Sequence, residues 1–375
     1  MARFRDWLNL GKHTVSSLST NDVTNLYALE WPETKKILIA EHSADISEDP
    51  RRVRRWIRTV SAILYGLVKR LAPHRRLLFV FSFYLFFIGL ITMTKSMKQP
   101  SFWLFTQIAA TFLVMTALLA MELIDKIKFR DELQLARDLQ ASLIPKEMPK
   151  SEVWDVAAFN RIANTVGGDI YDFVPLEDGR LAVLFGDASG HGMAAGLVMA
   201  VAHAAFRTQL EVDDSPPSIM ATLNRILCRT GGSRSFFSCC YLLLSPDGSF
   251  QATIAGHPPI LKIGTNGEIV ERIGRGAYPL GVKVGLQWDI VGGTLAPGER
   301  LLLHSDGLTE SRNATEREFG DSYVETVVGW QPEAPAQTLV DTLVGEWRLF
   351  MGTQPADDDV SIAVLANRLV TPHPI

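Results

Sequence analysis

From about Val153 to its C-terminus this chain predicts an α+β domain of antiparallel sheet and helices, and ahead of it a two-helix hairpin of membrane-spanning length. Three observations predict it. Two runs almost free of charge lie between residues 77 and 123. Beyond Val153 the apolar pattern shortens to strands bounded by turns, and three stretches of helical period interrupt those strands.

The apolar runs are Leu77 to Met93 (LLFVFSFYLFFIGLITM) and Phe102 to Leu123 (FWLFTQIAATFLVMTALLAMEL), each close to the ~20 residues that span a bilayer. The connector Thr94 to Ser101 is too short to hold a domain, so both long termini belong on one side. Arg51, Arg52, Arg54, Arg55, Arg58, Lys69, Arg70, Arg75 and Arg76 precede the first run, and Lys126, Lys128 and Arg130 follow the second. That bias puts both termini in the cytoplasm and predicts a multi-pass inner-membrane protein. Two buried helices of a soluble core are the alternative, and the length and basic flanks of the runs weigh against it.

Between Arg51 and Arg70, Trp56, Val60, Ile63, Leu64, Leu67 and Val68 alternate with basic residues at near-helical spacing. This suits either a helix on an anionic leaflet or an ordinary solvated helix. Residues 1–50 carry no motif beyond turn-like segments around one apolar run, KILIA. After the second run, Asp125 to Leu143 is helix-friendly and stops near Pro145 and Pro149, as a linker would. It is too short for sustained heptads, so a homodimer through it is left open. The expected parts are 1–76, an N-terminal cytoplasmic region with a basic amphipathic helix; 77–124, the hairpin; 125–149, a helical signalling linker; and 150–375, the C-terminal domain.

A net charge of −4 supplies no global basic field, and the basic residues gather beside the apolar runs, which excludes nucleic acid as the natural partner. Cys228, Cys239 and Cys240 form no even framework and no C-x-x-C pair, and predict thiols in a reducing compartment. The opening MARFRDWLNLGKH lacks the apolar core and cleavage site of a removable signal peptide.

In the C-terminal domain, Asp178-Gly179, Pro246-Asp247-Gly248, Asn266-Gly267 and Pro297-Gly298 are hairpin punctuation, and Gly192 to Glu211, Pro217 to Thr230 and Ala336 to Phe350 read as helices. Four aspartate-bearing turns recur at strand ends: VGGDIYD with Asp169 and Asp172, FGDASGHG with Asp187, LLLHSDGLTE with Asp306, and PADDDVSIAVL with Asp357, Asp358 and Asp359. Taken singly, each turn reads as an ordinary hairpin. Together they deliver carboxylates from separate strands, and converging carboxylates repel one another unless a cation sits among them. Oxygen-rich sites suit Mg²⁺ or Mn²⁺. A zinc site is disfavoured, because only His191 and His304 lie in these turns and no ligand-spaced cysteine pair exists.

LQASLIP, VGGDIYDF, GDASGHGMAAGL, AGHPPI, YPLGV, SDGLTE and DDVS, in this order over about Leu139 to Leu365, resemble the SpoIIE/RsbU-type branch of the PPM (PP2C-like) metal-dependent protein serine/threonine phosphatases. The resemblance implies a four-layer α-β-β-α sandwich with two Mn²⁺ or Mg²⁺ ions at one end. It implies that Asp187 bridges both ions with the Ala188 carbonyl beside it, that Asp306 and Asp358 complete the second, and that Asp169 holds metal-bound water. Asp359 competes with Asp358, since a run of three aspartates leaves the register open by one. Gly167 and Gly168 fit the turn presenting Asp169, and Gly190, His191 and Gly192 the loop entering the next helix. His191 either donates to the leaving group or caps that helix; Asp172 and His257 fit structural places. Ile162, Ile170 and Ala188 depart from the usual Pro, aromatic and Val, and none removes a carboxylate.

The implied reaction is direct attack of metal-bound hydroxide on phosphoserine or phosphothreonine of a protein, without a phospho-enzyme. The implied substrate is an anti-sigma-factor antagonist in a bacterial partner-switching pathway. Two other classes stay in view, a non-catalytic membrane-tethered phosphoprotein-binding module and a small-molecule phosphohydrolase; no P-loop or dinucleotide fingerprint supports the latter.

Overall fold

Helix α1, Pro73–Lys95, and helix α2, Phe102–Leu143, open the computed structural model, which describes residues 73–95, 102–163, 165–230, 235–274 and 276–368. The amphipathic stretch between Arg51 and Arg70 and the first fifty residues lie outside the described residues. The chain divides into two units, up to Lys128 and from Phe129 onward.

In the first unit, Arg75 at the start of α1 bonds Glu122 at 3.1 Å and Asp125 at 2.6 Å, and Ser82 donates to the Met115 sulfur at 3.3 Å. Apolar side chains point outward, Phe112 being 73% and Leu113 71% exposed. Of the described helices, Phe102–Leu143 is long and apolar enough to cross a membrane, with 6% of its apolar window buried. Such all-round apolar surface is costly in water and natural in lipid. The sequence pattern divides apolar run from linker at residues 124 and 125, whereas α2 continues through that point without a break.

In the second unit the order is β1 Trp154–Arg161, β2 Ile170–Pro175, β3 Leu181–Ala188, α3 Met193–Leu210, α4 Pro216–Thr230, β4 Phe237–Leu244, β5 Ser249–Ala255, β6 Ile260–Ile263, β7 Ile269–Ile273, β8 Val291–Thr294, β9 Arg300–His304, α5 Asp306–Thr309, α6 Asp321–Gly329, α7 Ala336–Met351 and β10 Val360–Asn367. One five-stranded sheet runs β1-β10-β9-β6-β7 and the other β2-β3-β4-β5-β8, with neighbouring strands antiparallel.

The sheets face each other, and helices cover their outer sides. On β3, Val183 and Phe185 enter the core between the sheets, whereas Ala182 and Leu184 pack under α3 and α4 with Met199, Phe206 and Leu223. On β10, Ala363 and Leu365 face inward, whereas Ile362 and Val364 pack against Leu339, Leu343 and Trp347 of α7. The period of two thus feeds two apolar layers at once, which is why these strands read as continuous apolar runs instead of alternating. Cys239 and Cys240, adjacent on β4, accordingly face opposite layers, and burial raises the pKa of both thiols. The result is the expected α-β-β-α sandwich.

Candidate metal centre

Both sheets end their central strands at the same place. In the β2–β3 pair Ile170 lies opposite Gly186, which puts Asp169, just before β2, next to Asp187 near the end of β3. In the β9–β10 pair His304 lies opposite Ile362, so Asp306, two residues past β9, meets the Asp358-Asp359 turn ahead of β10. Asp306 opens the one-turn helix α5, with Ser305 at its N-cap.

Backbone fit locks the two halves together. Gly168 donates to Asp359 at 2.6 Å, and its carbonyl accepts the Ala188 N–H at 3.2 Å. A Cβ on Gly167 would stand 2.2 Å from an Asp359 oxygen; one on Gly168 would stand 2.6 Å from the Ala188 carbonyl and from an Asp187 oxygen. One on Gly307 would stand 2.0 Å from the Asp359 carbonyl. No other residue type lets these turns approach so closely. Gly190 and Gly192 hold φ of 91° and 71° in the loop entering α3; Gly192 is its N-cap, and His191 is exposed beside it.

The electrostatics match a site built for positive charge. Burial first, and then the Asp306 and Asp358 carboxyls, push the Asp187 pKa up to about 8. Burial and the neighbouring Asp187 raise Asp169 well above the carboxylate range, against hydroxyls of Ser361 and Ser305 that oppose the shift. Among the described residues, one oxygen of buried Asp169 has no hydrogen-bond partner. Burial also raises Asp358, with Asp306 adding to the shift. Acids whose ionisation is opposed by burial and by one another are relieved by a cation among them. Among the described residues no three His, Cys, Asp or Glu side chains form a ready-made cage. A hard ion here would therefore complete its shell with water and backbone oxygen, as Mg²⁺ commonly does. The donor set, all oxygen, fits Mg²⁺ or Mn²⁺.

The remaining candidates sit as follows. Asp172 is fully buried and bonded to Arg207 at 2.5 and 2.8 Å and to His203 at 2.8 Å, away from the aspartate cluster. His257 is buried, with Nδ1 3.0 Å from the Pro258 carbonyl and its ring edge-on to Phe185; burial lowers its pKa to about 4. Ile170 and Ala188 are fully buried on the helix side of their sheet. Sequence reasoning missed Gln140, whose amide pairs with Gly167, and Ser305 and Ser361, which stitch β9 to β10 through a 2.9 Å bond. Nothing in the chemistry of an isolated Gln on a helix marks it; only its place in LQASLIP, next to the domain, could have drawn attention.

Comparison with known proteins gives the family and the fold. The profile of the SpoIIE family, described as Stage II sporulation protein E, matches residues 177–368, just over half of the chain. The chain is 25% identical over 186 residues to the phosphoserine phosphatase RsbU of Bacillus subtilis, covering 49% of this chain and 55% of the relative. It is 24% identical over 190 residues to the phosphoserine phosphatase RsbP of the same organism, covering 49% and 47%. It thus spans about half the length of these two relatives. The SiaA-PP2C domain of Pseudomonas aeruginosa superposes with a TM-score of 0.57 at 20% identity, over 64% of this chain and 98% of that one. The fold is that of the PP2C-like phosphatase domains. The chain belongs to the SpoIIE family.

Proposed function

We propose that this chain hydrolyses phosphoserine or phosphothreonine on a protein, with two Mn²⁺ or Mg²⁺ ions held by Asp169, Asp187, the Ala188 carbonyl, Asp306 and Asp358. The observation that carries this is the meeting of four carboxylates from two sheets at one end of the sandwich, with ionisation opposed at Asp187, Asp169 and Asp358. Both relatives are phosphoserine phosphatases, which supports the same reaction class.

When bound, such ions would neutralise the phosphoryl group and make water a better nucleophile. The chain's own part is geometric. Asp187 and Asp169 project from the β2–β3 end, Asp306 and Asp358 from the β9–β10 end, and the glycine turns let the backbones close to within contact of the carboxylates. Asp359 holds the two ends together through Gly168 and Ala163 instead of offering free oxygens, which supports Asp358 over Asp359 as the proposed ligand.

The protein substrate proposed is an anti-sigma-factor antagonist, on the strength of the family resemblance. The proposed organisation is the one set out from the sequence: 1–76, 77–124 as a membrane hairpin, 125–149 as linker and 150–375 as phosphatase domain, with both termini cytoplasmic at the inner membrane. The apolar, outward-facing surface of α2 supports it.

The test is turnover of a phosphoserine protein with Mn²⁺, with Mg²⁺ and with EDTA, by the wild type and by Asp187→Asn and Asp306→Asn. Metal-dependent turnover lost in both variants is expected. Metal-independent turnover, or none with either ion while the phosphoprotein still binds, would favour the tethered binding module; turnover of nucleotides in preference to phosphoprotein would favour a small-molecule phosphohydrolase.

A further inference from the structure

The loop between β7 and β8 joins the end of the second sheet that carries Asp187. β5 stops at Ala255, opposite Cys239, and beyond it Leu280 takes its place, exchanging two backbone bonds of 2.9 Å with Phe237. Phe237 in turn lies opposite Ala188, the residue after Asp187. Leu280 is thus two strand spacings, about 10 Å, from the Ala188 backbone. Two glycines allow the substitution. A Cβ on Gly256 would stand 2.8 Å from the Pro279 nitrogen, and Gly281 holds φ of 89° against Ser235 and Phe236. Phe236 also ties to the turn after Asp187: its carbonyl accepts the Ser189 N–H at 2.9 Å, and its N–H donates to Ser189 Oγ at 2.8 Å.

The loop is fixed from below and apolar above. Buried Asn224 on α4 grips it at two points, Oδ1 accepting the Gly281 N–H at 2.9 Å and Nδ2 donating to the Lys283 carbonyl at 2.9 Å. The Trp288 indole donates to the Tyr278 carbonyl at 2.7 Å, and its ring packs against the core under α3 and α4. Leu280 is fully buried. Between these anchors Tyr278 is 66%, Val282 52% and Val284 68% exposed. Apolar side chains left in water on a rigid loop contribute nothing to the core. They suit contact with a partner, because a backbone already fixed has little freedom left to lose on binding.

Position selects the partner. A phosphoserine that reaches the aspartate cluster brings with it the folded surface around it. A standard protein–protein contact covers about 800 Å² on each side, roughly 30 Å across, so a loop anchored about 10 Å from Ala188 falls within its footprint. We propose that residues 278–284 form a docking surface for the folded body of the phosphoprotein substrate, with Tyr278, Val282 and Val284 as its contacts and Asn224 as the residue that positions it. This rests on the protein-phosphatase reading of the aspartate site. A small phosphate ester reaches the cluster without covering the loop, so the loop governs the preference for protein over small ester.

The experiment uses the full chain in detergent micelles with Mn²⁺ and two probes, a folded anti-sigma-factor antagonist carrying phosphoserine and p-nitrophenyl phosphate. The quantity read is the ratio of kcat/KM for the protein to kcat/KM for the ester. Val284→Glu and Tyr278→Ala are each expected to lower that ratio about tenfold, through KM for the protein, as loss of one interface anchor does. Asn224→Leu is expected to lower it in the same direction and to speed backbone exchange over 278–284, read by mass spectrometry; should it fail to fold, the two exposed positions carry the test. An unchanged ratio in folded Val284→Glu and Tyr278→Ala would overturn the proposal and leave the phosphatase reading standing. The same unchanged ratio with weakened binding to vesicles of anionic lipid would assign the loop to the membrane surface instead. Absence of turnover of the phosphoprotein by the wild type would overturn the protein-phosphatase reading and the proposal with it.

Discussion

Asp359 accepts the Gly168 N–H at 2.6 Å on one carboxylate oxygen and the Ala163 N–H at 2.8 Å on the other. Its neighbour Asp358 accepts only the Asp359 N–H, at 2.8 Å, among the described bonds, and its side chain lies at the exposed side of the turn. Adjacent aspartates therefore differ: Asp359 is committed to the frame, and Asp358 is the one proposed for the site. Asp359→Ala should destabilise the metal-free protein by roughly 1–3 kcal/mol, the usual consequence of leaving buried donors unsatisfied. Asp358→Asn should leave that stability nearly unchanged and weaken Mn²⁺ binding. Urea unfolding in EDTA and Mn²⁺ titration separate the two; wild-type Mn²⁺ affinity in Asp358→Asn would return the ligand role to Asp359.

Asp187 predicts an unusual pH dependence for the metal-free protein. Its pKa is raised in the folded state to about 8 by burial and by the Asp306 and Asp358 carboxyls, against an ordinary value of about 3.9. Between these values the folded chain holds a proton that the unfolded chain has released, so stability falls as pH rises across the window and stays low above it. In EDTA, Asp187→Asn should be more stable than wild type at pH 8 and nearly equal to it at pH 4. Added Mn²⁺ should stabilise the wild type at pH 8 and the variant far less. Parallel unfolding curves for the two proteins at every pH would refute this.

Asp172 gives the opposite sign. Burial raises its pKa, but hydrogen bonds from His203 and Arg207 outweigh burial and hold it below the ordinary carboxylate value. Stability from this group is present above the unfolded pKa of about 3.9 and is lost as pH falls through the folded value. Arg207 is 48% exposed, so solvent screens its share. Arg207→Ala should cost about 1 kcal/mol at pH 7, below the ~1.5–3 kcal/mol of hydrogen bonds to a charged group because solvent screens the exposed guanidinium, and should move the acid loss of stability to higher pH. Guanidinium unfolding between pH 2 and 7 reads both effects. The proposed phosphatase activity per folded molecule should change little, since Asp172 stands apart from the aspartate cluster.

The sandwich and the aspartates were legible because each leaves a local mark. LAVLFGD and RLLLHSD announce a doubly buried strand ending in a carboxylate, and Asp178-Gly179 or Asn266-Gly267 announce the turn between two strands. Helix α6, DSYVETVVG, went unread because nine residues offer too few apolar positions for a period to emerge, only Val324, Val327 and Val328 being buried. The unbroken α2 was cut at Asp125 because hydropathy changes there while helical propensity does not. Pairings across long sequence distance left no mark at all: Gln140 with Gly167 and Asp359 with Gly168 are made by topology, and a glutamine or a third aspartate in a row carries no sign of its partner.

Membrane topology is open to direct measurement. Arg75 lies where the apolar stretch of α1 begins, and its side chain, 13% exposed, is paired with Glu122 and Asp125 on α2 just past that helix's own apolar stretch. An ion-paired cluster is costly inside hydrocarbon and favourable at its edge. In the proposed hairpin topology that cluster marks the cytoplasmic boundary, with Lys98 expected on the far side and Glu147 on the near side. Cys239 and Cys240 are fully buried and Cys228 partly so, which leaves a low labelling background once Cys228→Ser is made. On that background, Lys98→Cys in intact spheroplasts should react with a membrane-impermeant maleimide, and Glu147→Cys should react only after lysis. Protection of Lys98→Cys together with release of the whole chain by alkaline carbonate would mean that the helices lie on the membrane or pack elsewhere and do not cross it.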